Sequence, residues 1–407
     1  MTGCTDLRAD GEDERESENE VKPVKPIRSG ESAYAPSRTV SEGTPCERFD
    51  PWVEINTRRL RWNLAQVRGM VGDMPIMAVV KCNAYGHGTV GVAKTLQDEG
   101  IEHFATVKVQ EAIALREHGI RGTILNFGPC SPADAEEILE YDITQSVFSN
   151  TVEGLARTAQ QMGKTAKVHV KVDTGLSRVG VPHGHAQAYL KKLAALPGIA
   201  VEGIFTTLTK HDDFDLVQLE RFNQVCESAA AEGISVGARH VASTNELLIP
   251  QAMAFDMVRP GSCLYGMAPH PTMELKPIME LKTRVILVKT VGPGDSIFYG
   301  RHHMVDKERR LATLPLGYAD GYPFQSVDKA EALIRGRRWP LIVYMSGNHA
   351  IVDITGSEDI DVGDEVVLIG AQGEERIMLE DVAAWVQSSV YKVATSLSPF
   401  VPRVFLE

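Results

Sequence analysis

Ala78-Val79-Val80-Lys81-Cys82-Asn83-Ala84-Tyr85-Gly86-His87-Gly88 is the stretch on which the reading of this chain turns. From Pro75 to Val80 every residue is apolar, as in a parallel strand buried on both faces. The pattern predicts a strand over 75–81 that ends in a single lysine, then a turn, then a helix over 90–97. A lysine at a strand end between apolar walls loses its charge readily, which suits it to form a Schiff base with a carbonyl cofactor. The plain alternative is a strand-end lysine in solvent.

Outward from this stretch a rhythm appears. Strand-like runs recur at 102–107, 121–127, 142–147, 167–172, 201–206, 238–242 and 255–259, with helical stretches at 108–117, 132–140, 151–162, 184–193, 216–231 and 245–249 between them. With the strand ending at Lys81 this makes eight strands alternating with helices, the pattern of a (β/α)8 TIM-type barrel of about 250 residues. A doubly wound open sheet is the rival, but no Gly-x-Gly-x-x-Gly follows the first strand. From about 274 short strands separated by turns take over, at 285–288, 296–299, 311–316, 332–334, 341–345, 350–354 and 365–369, with one helix at 380–388. The division is therefore a polar tail over 1–47, predicted disordered, a barrel over 48–273, and a mainly β domain over 274–407. A short strand at 52–56, followed by a helix over 58–70 capped by Thr57, is a candidate member of the β domain.

Composition narrows the function. The chain has 407 residues, 43% of them apolar and 24% charged, and a net charge of −12. That is ordinary globular chemistry with no basic run to hold nucleic acid. Six cysteines without a Cys-x-x-Cys pair give no support for a metal site and suggest free thiols in a reducing compartment. No stretch approaches the roughly 18 apolar residues of a membrane span, and no secretory pattern opens the chain. The expected location is the cytoplasm.

Barrel enzymes work at the C-terminal ends of their strands. Those ends carry Lys81, the run Lys171-Val172-Asp173-Thr174-Gly175-Leu176-Ser177-Arg178, Thr206-Thr207, His240-Val241-Ala242-Ser243-Thr244, and Arg259-Pro260-Gly261-Ser262. Ser243, Thr244, Gly261 and Ser262 follow the last two strands, where such barrels bind phosphate through backbone N–H groups and hydroxyls.

The lysine stretch resembles the pyridoxal-phosphate lysine motif of the alanine racemase family. Six further segments follow in family order: 171–175, 257–261, 264–266, 281–284 leading into 299–301, 317–322 and 401–404. The resemblance runs from Trp52 to Phe405 and implies a racemase that interconverts L- and D-alanine. It implies pyridoxal 5'-phosphate as cofactor, a small amino-acid substrate and a homodimer. Lys81 resembles the lysine that holds the cofactor and acts as one base. Tyr318 resembles the base on the opposite face, contributed across the dimer interface. Arg259 resembles the arginine facing the pyridine nitrogen, with His240 retained beside it. Arg178 resembles the arginine near the cofactor's phenolic oxygen and the substrate carboxylate. Tyr85, Thr244, Gly261 and Ser262 resemble phosphate contacts, and Lys171 a lysine that some members carbamylate. Two bases on opposite faces of Cα are what racemisation requires.

Several positions depart from that pattern. Thr207 stands where the family usually has a histidine supporting the tyrosine base; His211, four residues on, is a candidate substitute. Gly347 and Asn348 stand where the family has a methionine and an aspartate near the substrate carboxylate. Pro399 and Phe400 replace a tyrosine and an arginine, and Tyr344 another arginine. Lost bulk at 347 and 399 suggests a pocket for serine or a larger amino acid. Two other readings stand beside the racemase. One is a decarboxylase of the same two-domain type, whose Glu-Pro-Gly-Arg and cysteine-aspartate motifs are missing. The other is a non-catalytic cofactor-binding relic.

Overall fold

The computed structural model describes residues 49–407 apart from 268 and 302. The predicted tail over 1–47, with Cys4 and Cys46, lies outside the described residues. The four described cysteines, Cys82, Cys130, Cys226 and Cys263, are free. No helix among the described residues is long and apolar enough to cross a membrane.

Seven parallel strands lie side by side in chain order: Met77–Val79, His103–Thr106, Thr123–Asn126, Thr144–Val147, Ala166–Asp173, Ile199–Phe205 and Ala238–His240. The eighth expected strand, at 255–259, is reduced to two bridges, Met257 to His240 and Val258 to Ile76. These close the ring: Met77 N donates to Val258 O at 2.8 Å and Val79 N to Pro260 O at 3.0 Å. Pro260 ends the pairing because it carries no N–H to continue the ladder.

The opening stretch differs from its reading. The strand stops at Val79, and Lys81 starts a single turn, Lys81–Tyr85. Cys82, Asn83, Ala84 and Tyr85 all have φ between 51° and 56°, a left-handed turn of four non-glycine residues. Such backbone costs roughly 1–2 kcal/mol per residue. Specific bonds offset it. The buried Glu111 accepts from Asn83 N at 3.1 Å and Val107 N at 3.2 Å, and carboxylate bonds are worth about 1.5–3 kcal/mol each. Asn83 Oδ1 accepts from Thr89 N, and Ala84 N donates to Val80 O. The helix Thr89–Asp98 follows.

The helix Thr57–Val71 buries Leu60, Leu64, Val67 and Val71 along one face. Its cap is Asn56, whose side chain accepts from Arg59 N at 2.8 Å, and not Thr57.

The other sheet has ten strands. Its order is Leu287–Val291, Arg309–Leu314, Ala350–Asp353, Arg337–Met345, Glu331–Ile334, Glu365–Gln372, Met279–Arg284, Trp52–Asn56 and Arg403–Leu406, with Glu375–Ile377 beside Glu365–Gln372. Trp52–Asn56 sits between Met279–Arg284, antiparallel, and Arg403–Leu406, parallel. The run expected at 285–288 straddles the change between two strands: Val285 N still donates to Asp364 O, Ile286 N turns to Thr313 O, and Leu287 and Val288 open the strand Leu287–Val291. Met279–Arg284 went unread because it alternates buried and half-exposed residues, with Glu280, Lys282 and Arg284 diluting the apolar signal. The helix Val390–Ser396 was also unread.

The chain's end clamps the lysine turn. Arg403, 1% exposed, donates to Gly86 O at 3.0 Å, Leu397 O at 3.1 Å, Ser398 O at 2.5 Å and Val401 O at 2.6 Å. Gly86 has φ +89°, and a Cβ there would lie 2.0 Å from Ala394 O. Only glycine allows this approach. Replacing Arg403 by leucine strands three buried carbonyls, those of Gly86, Leu397 and Val401, while Ser398 O keeps the Val401 N–H, so Arg403→Leu is expected to lower stability by about 3–5 kcal/mol in a denaturant melt. A loss below about 1 kcal/mol would mean that the clamp contributes little to the fold.

Candidate active site

At the C-terminal end of its strand, Lys81 lies with Nζ 5.9 Å from the Tyr85 ring centroid. Burial depresses its pKa, and the charge of Arg178 depresses it further, against opposing contributions from Cys82 and Glu111. Arg178 follows the strand Ala166–Asp173 on a bend shaped by Asp173, whose Oδ1 accepts from Gly175 N at 2.9 Å and Ser177 N at 3.1 Å.

Lys171, on the same strand, is buried with Nζ 4.5 Å from the Phe205 ring centroid. Its amine donates a short hydrogen bond to Thr207 Oγ1. Burial, then Arg259 and Arg178, hold its pKa well below the ordinary lysine value. Thr207 is therefore spoken for by Lys171. His211 lies exposed at the N-cap of the helix Asp212–Ala231.

Arg259 is 4% exposed and anchored on three sides. Its Nη1 donates to His240 Nδ1 at 2.8 Å, and its Nη2 to Thr206 O and Val241 O, both at 2.8 Å. Burial pulls its pKa down to about 10, which leaves it charged at neutral pH. Of the five N–H donors of a guanidinium, these bonds use three, leaving two for a group in the mouth.

At the other end of the mouth, Thr244 Oγ1 accepts from Gly261 N at 3.2 Å and Cys263 N at 3.4 Å. A Cβ on Gly261 would lie 3.0 Å from the Tyr85 hydroxyl and 3.5 Å from Val79 Cβ. Tyr85, Thr244 and Gly261 thus line one small cradle, with Ser262 next in the chain. Ser243 is committed elsewhere: its N–H and hydroxyl both donate to the buried Glu246.

Tyr318, Gly347 and Asn348 sit on the other sheet's domain. Tyr318 N donates to Ser346 O at 3.2 Å and Ala319 N to Gly347 O at 3.0 Å, which fixes the two turns together. The Tyr318 ring packs edge-on against Phe324, 6.4 Å between centroids, and stays 53% exposed. Among the described residues no cluster of His, Cys, Asp and Glu could hold a metal ion.

Two contributors escaped the sequence reading. Glu111 holds the lysine turn from the helix Val109–Glu117. His169 joins His240 across the barrel interior, Nδ1 to Nε2 at 2.8 Å. Its signal was the two-residue period of a strand, which turns His169 to the same face as Lys171.

Pyridoxal phosphate fits this donor set. Lys81 would offer an amine of lowered basicity to its aldehyde, Arg259 would offer a fixed cation to its ring, and Tyr85, Thr244 and Gly261 would receive its phosphate. Fold and site together define a barrel enzyme with a lysine of lowered basicity at its mouth. The family model for the alanine racemase N-terminal domain matches residues 55–269, and that for the alanine racemase C-terminal domain matches 278–405. An alanine racemase of Halothermothrix orenii is 35% identical over 364 residues, covering 87% of this chain and 96% of that protein. The solved alanine racemase of Clostridium difficile 630 superposes with a TM-score of 0.83 at 31% identity, over 88% of this chain and 96% of that one. A histidine racemase of Leuconostoc mesenteroides subsp. sake reaches a TM-score of 0.80 at 25% identity, over 90% of this chain and 100% of that one. The chain belongs to the alanine racemase family, whose enzymes use pyridoxal 5'-phosphate.

The lysine assignment has a direct test. Borohydride reduction of the cofactor-loaded protein is expected to label Lys81, and Lys81→Ala to abolish the label while Lys171 stays unmodified. Because burial lowers the Lys81 pKa, the pH midpoint of cofactor capture should fall below the ordinary 10.5. Labelling at Lys171, or a midpoint at the free-lysine value, would remove Lys81 from this role.

Proposed function

We propose that this chain interconverts L- and D-alanine by exchanging the Cα proton between two bases, Lys81 and Tyr318. What carries the reading is the lysine of depressed basicity at a barrel mouth that also holds a buried, charged Arg259. Bound pyridoxal phosphate supplies the aldehyde that takes the substrate amine and the conjugated ring that accepts the electron pair left when Cα loses its proton. The residues do the rest. Lys81 Nζ takes or returns a proton at Cα on one face, and Tyr318 Oη does so on the other. Arg259 keeps its own proton and so leaves the ring nitrogen without one, which favours return of the proton over side reactions. Arg178 offers a cation to the substrate carboxylate, and Tyr85, Thr244, Gly261 and Ser262 receive the phosphate. Gly347 and Asn348 line the substrate side, next to Tyr318.

We further propose a homodimer acting in the cytoplasm, in which each Tyr318 serves the partner's site. An exposed aromatic surface supports it: Phe298, Tyr299, Tyr344, Phe324 and Tyr318 form a run of ring contacts of 5.2–6.5 Å, with Tyr299 76% exposed. The relic reading is disfavoured because Lys81, Arg178, Tyr318 and Arg259 are all retained.

A second reading concerns range. A Cβ at Gly347 would find only the Tyr318 ring, at 3.8 Å or more. Pro399 precedes a Phe400 that is 87% exposed. The resulting room supports acceptance of serine or larger amino acids beside alanine, and the histidine racemase neighbour has the same fold.

Tyr318→Phe is expected to keep cofactor binding and lower kcat about 100-fold or more, with deuterium wash-in lost on one Cα face. Lys81→Ala and Tyr318→Phe chains refolded together should recover roughly one quarter of wild-type activity, since half the dimers are hybrids and each hybrid has one intact site. A mixture as inactive as its parents would refute the shared site. For range, turnover of alanine, serine, lysine and arginine enantiomers should show activity beyond alanine; strict alanine preference would end that reading.

A further inference from the structure

Arg259 does not rest on His240 alone. His240 Nδ1 accepts from the guanidinium, so the proton of a neutral His240 sits on Nε2. Nε2–H then donates to His169 Nδ1 at 2.8 Å, and the proton of His169 sits in turn on its own Nε2. One cation that cannot give up its proton therefore sets the tautomer of two imidazoles in series. Burial of both rings, together with the charge of Arg259, keeps them neutral, His169 being lowered to about 3 and His240 well below 6.5.

The packing around the pair is built to hold it. A Cβ on Gly203, in the neighbouring strand, would lie 2.5 Å from the His169 ring, so the sheet keeps a side-chain-sized space for this imidazole. Phe205, two residues on and on the same face, stacks on His240 with 6° between the planes and 4.9 Å between centroids. The family's usual imidazole after the sixth strand is Thr207 here, and its hydroxyl is occupied by Lys171.

We propose that His169 is a positioning residue for the cofactor-facing arginine: by accepting from the Nε2–H of His240, it locks the ring plane of His240 and with it the plane in which Arg259 presents its two remaining N–H groups. The inference rests on Arg259 facing the cofactor ring, while the ladder itself can be read without the cofactor.

The experiment uses the full chain labelled with 15N-histidine. In the wild type without cofactor, His169 and His240 are expected as neutral Nε2–H tautomers from pH 8 to pH 5. In His169→Leu the Nε2–H of His240 loses its acceptor, so its proton signal should move upfield and exchange faster with water, and in His169→Gln, whose side-chain oxygen accepts the same bond, both should return. In the loaded proteins His169→Leu should change the visible circular dichroism of the cofactor and lower kcat about tenfold, and His169→Gln should recover most of both. A charged or Nδ1–H His240 in the wild type at pH 7 overturns the ladder, and this result needs no variant that folds. Equal behaviour of the leucine and glutamine variants, or an unchanged cofactor spectrum in His169→Leu, overturns the positioning role. A chain that binds no cofactor yet shows the ladder would instead sink the functional reading above.

Discussion

Lys81, Lys171, Arg178 and Arg259 share one barrel mouth, where burial first, and the charge of the arginines after it, lowers the basicity of both lysines. Arg259 keeps its charge, being tied to two carbonyls and an imidazole and having an intrinsic pKa too high to yield. The lysines give way instead. Lys171, the more buried, is held well below the ordinary lysine value with its amine on Thr207, and Lys81, nearer solvent, is lowered as well. An amine that is neutral at working pH is what capture of an aldehyde or of a proton demands. The apolar strand before Lys81 is thus part of the chemistry, because it excludes the water that would hold the charge.

Position matters as much as charge. The lysine turn is left-handed through four non-glycine residues, a conformation that survives only when its surroundings over-determine it. Glu111 holds it from the barrel side. Arg403 and the Ala394 carbonyl hold it from the far end of the chain. The β domain is therefore bound into the site twice, through this clamp and through Trp52–Asn56, which enters its sheet before the barrel begins. A shift of either domain would move Lys81.

Thr207, where the family usually has an imidazole, turns its hydroxyl to the barrel interior. The hydroxyl serves Lys171, and support for Arg259 comes from the Thr206 carbonyl and from the paired histidines inside the barrel. Gly347 has the opposite character, since it leaves space beside the Tyr318 ring. One residue engages the interior while the other leaves room at the surface beside Tyr318.

The alternation of strand and helix periods, the apolar run into Lys81, and the short segments around Asp173, Arg259 and Tyr318 could be read in the chain because each depends on residues close in sequence. That was enough for the barrel, the β domain and a lysine enzyme. The left-handed turn was hidden, since Cys82, Ala84 and Tyr85 have no local preference for positive φ, and Glu111, 28 residues from Asn83, supplies the compensation. The eighth strand read as a strand but forms only the bridges that closure of the ring leaves room for. The pairing of His169 with His240 spans 71 residues. Sequence by itself determined which groups could do the chemistry. Tertiary structure alone decided which of them lose basicity and what each one is bonded to, because desolvation and hydrogen-bond direction belong to the packed interior and to no single segment of the chain.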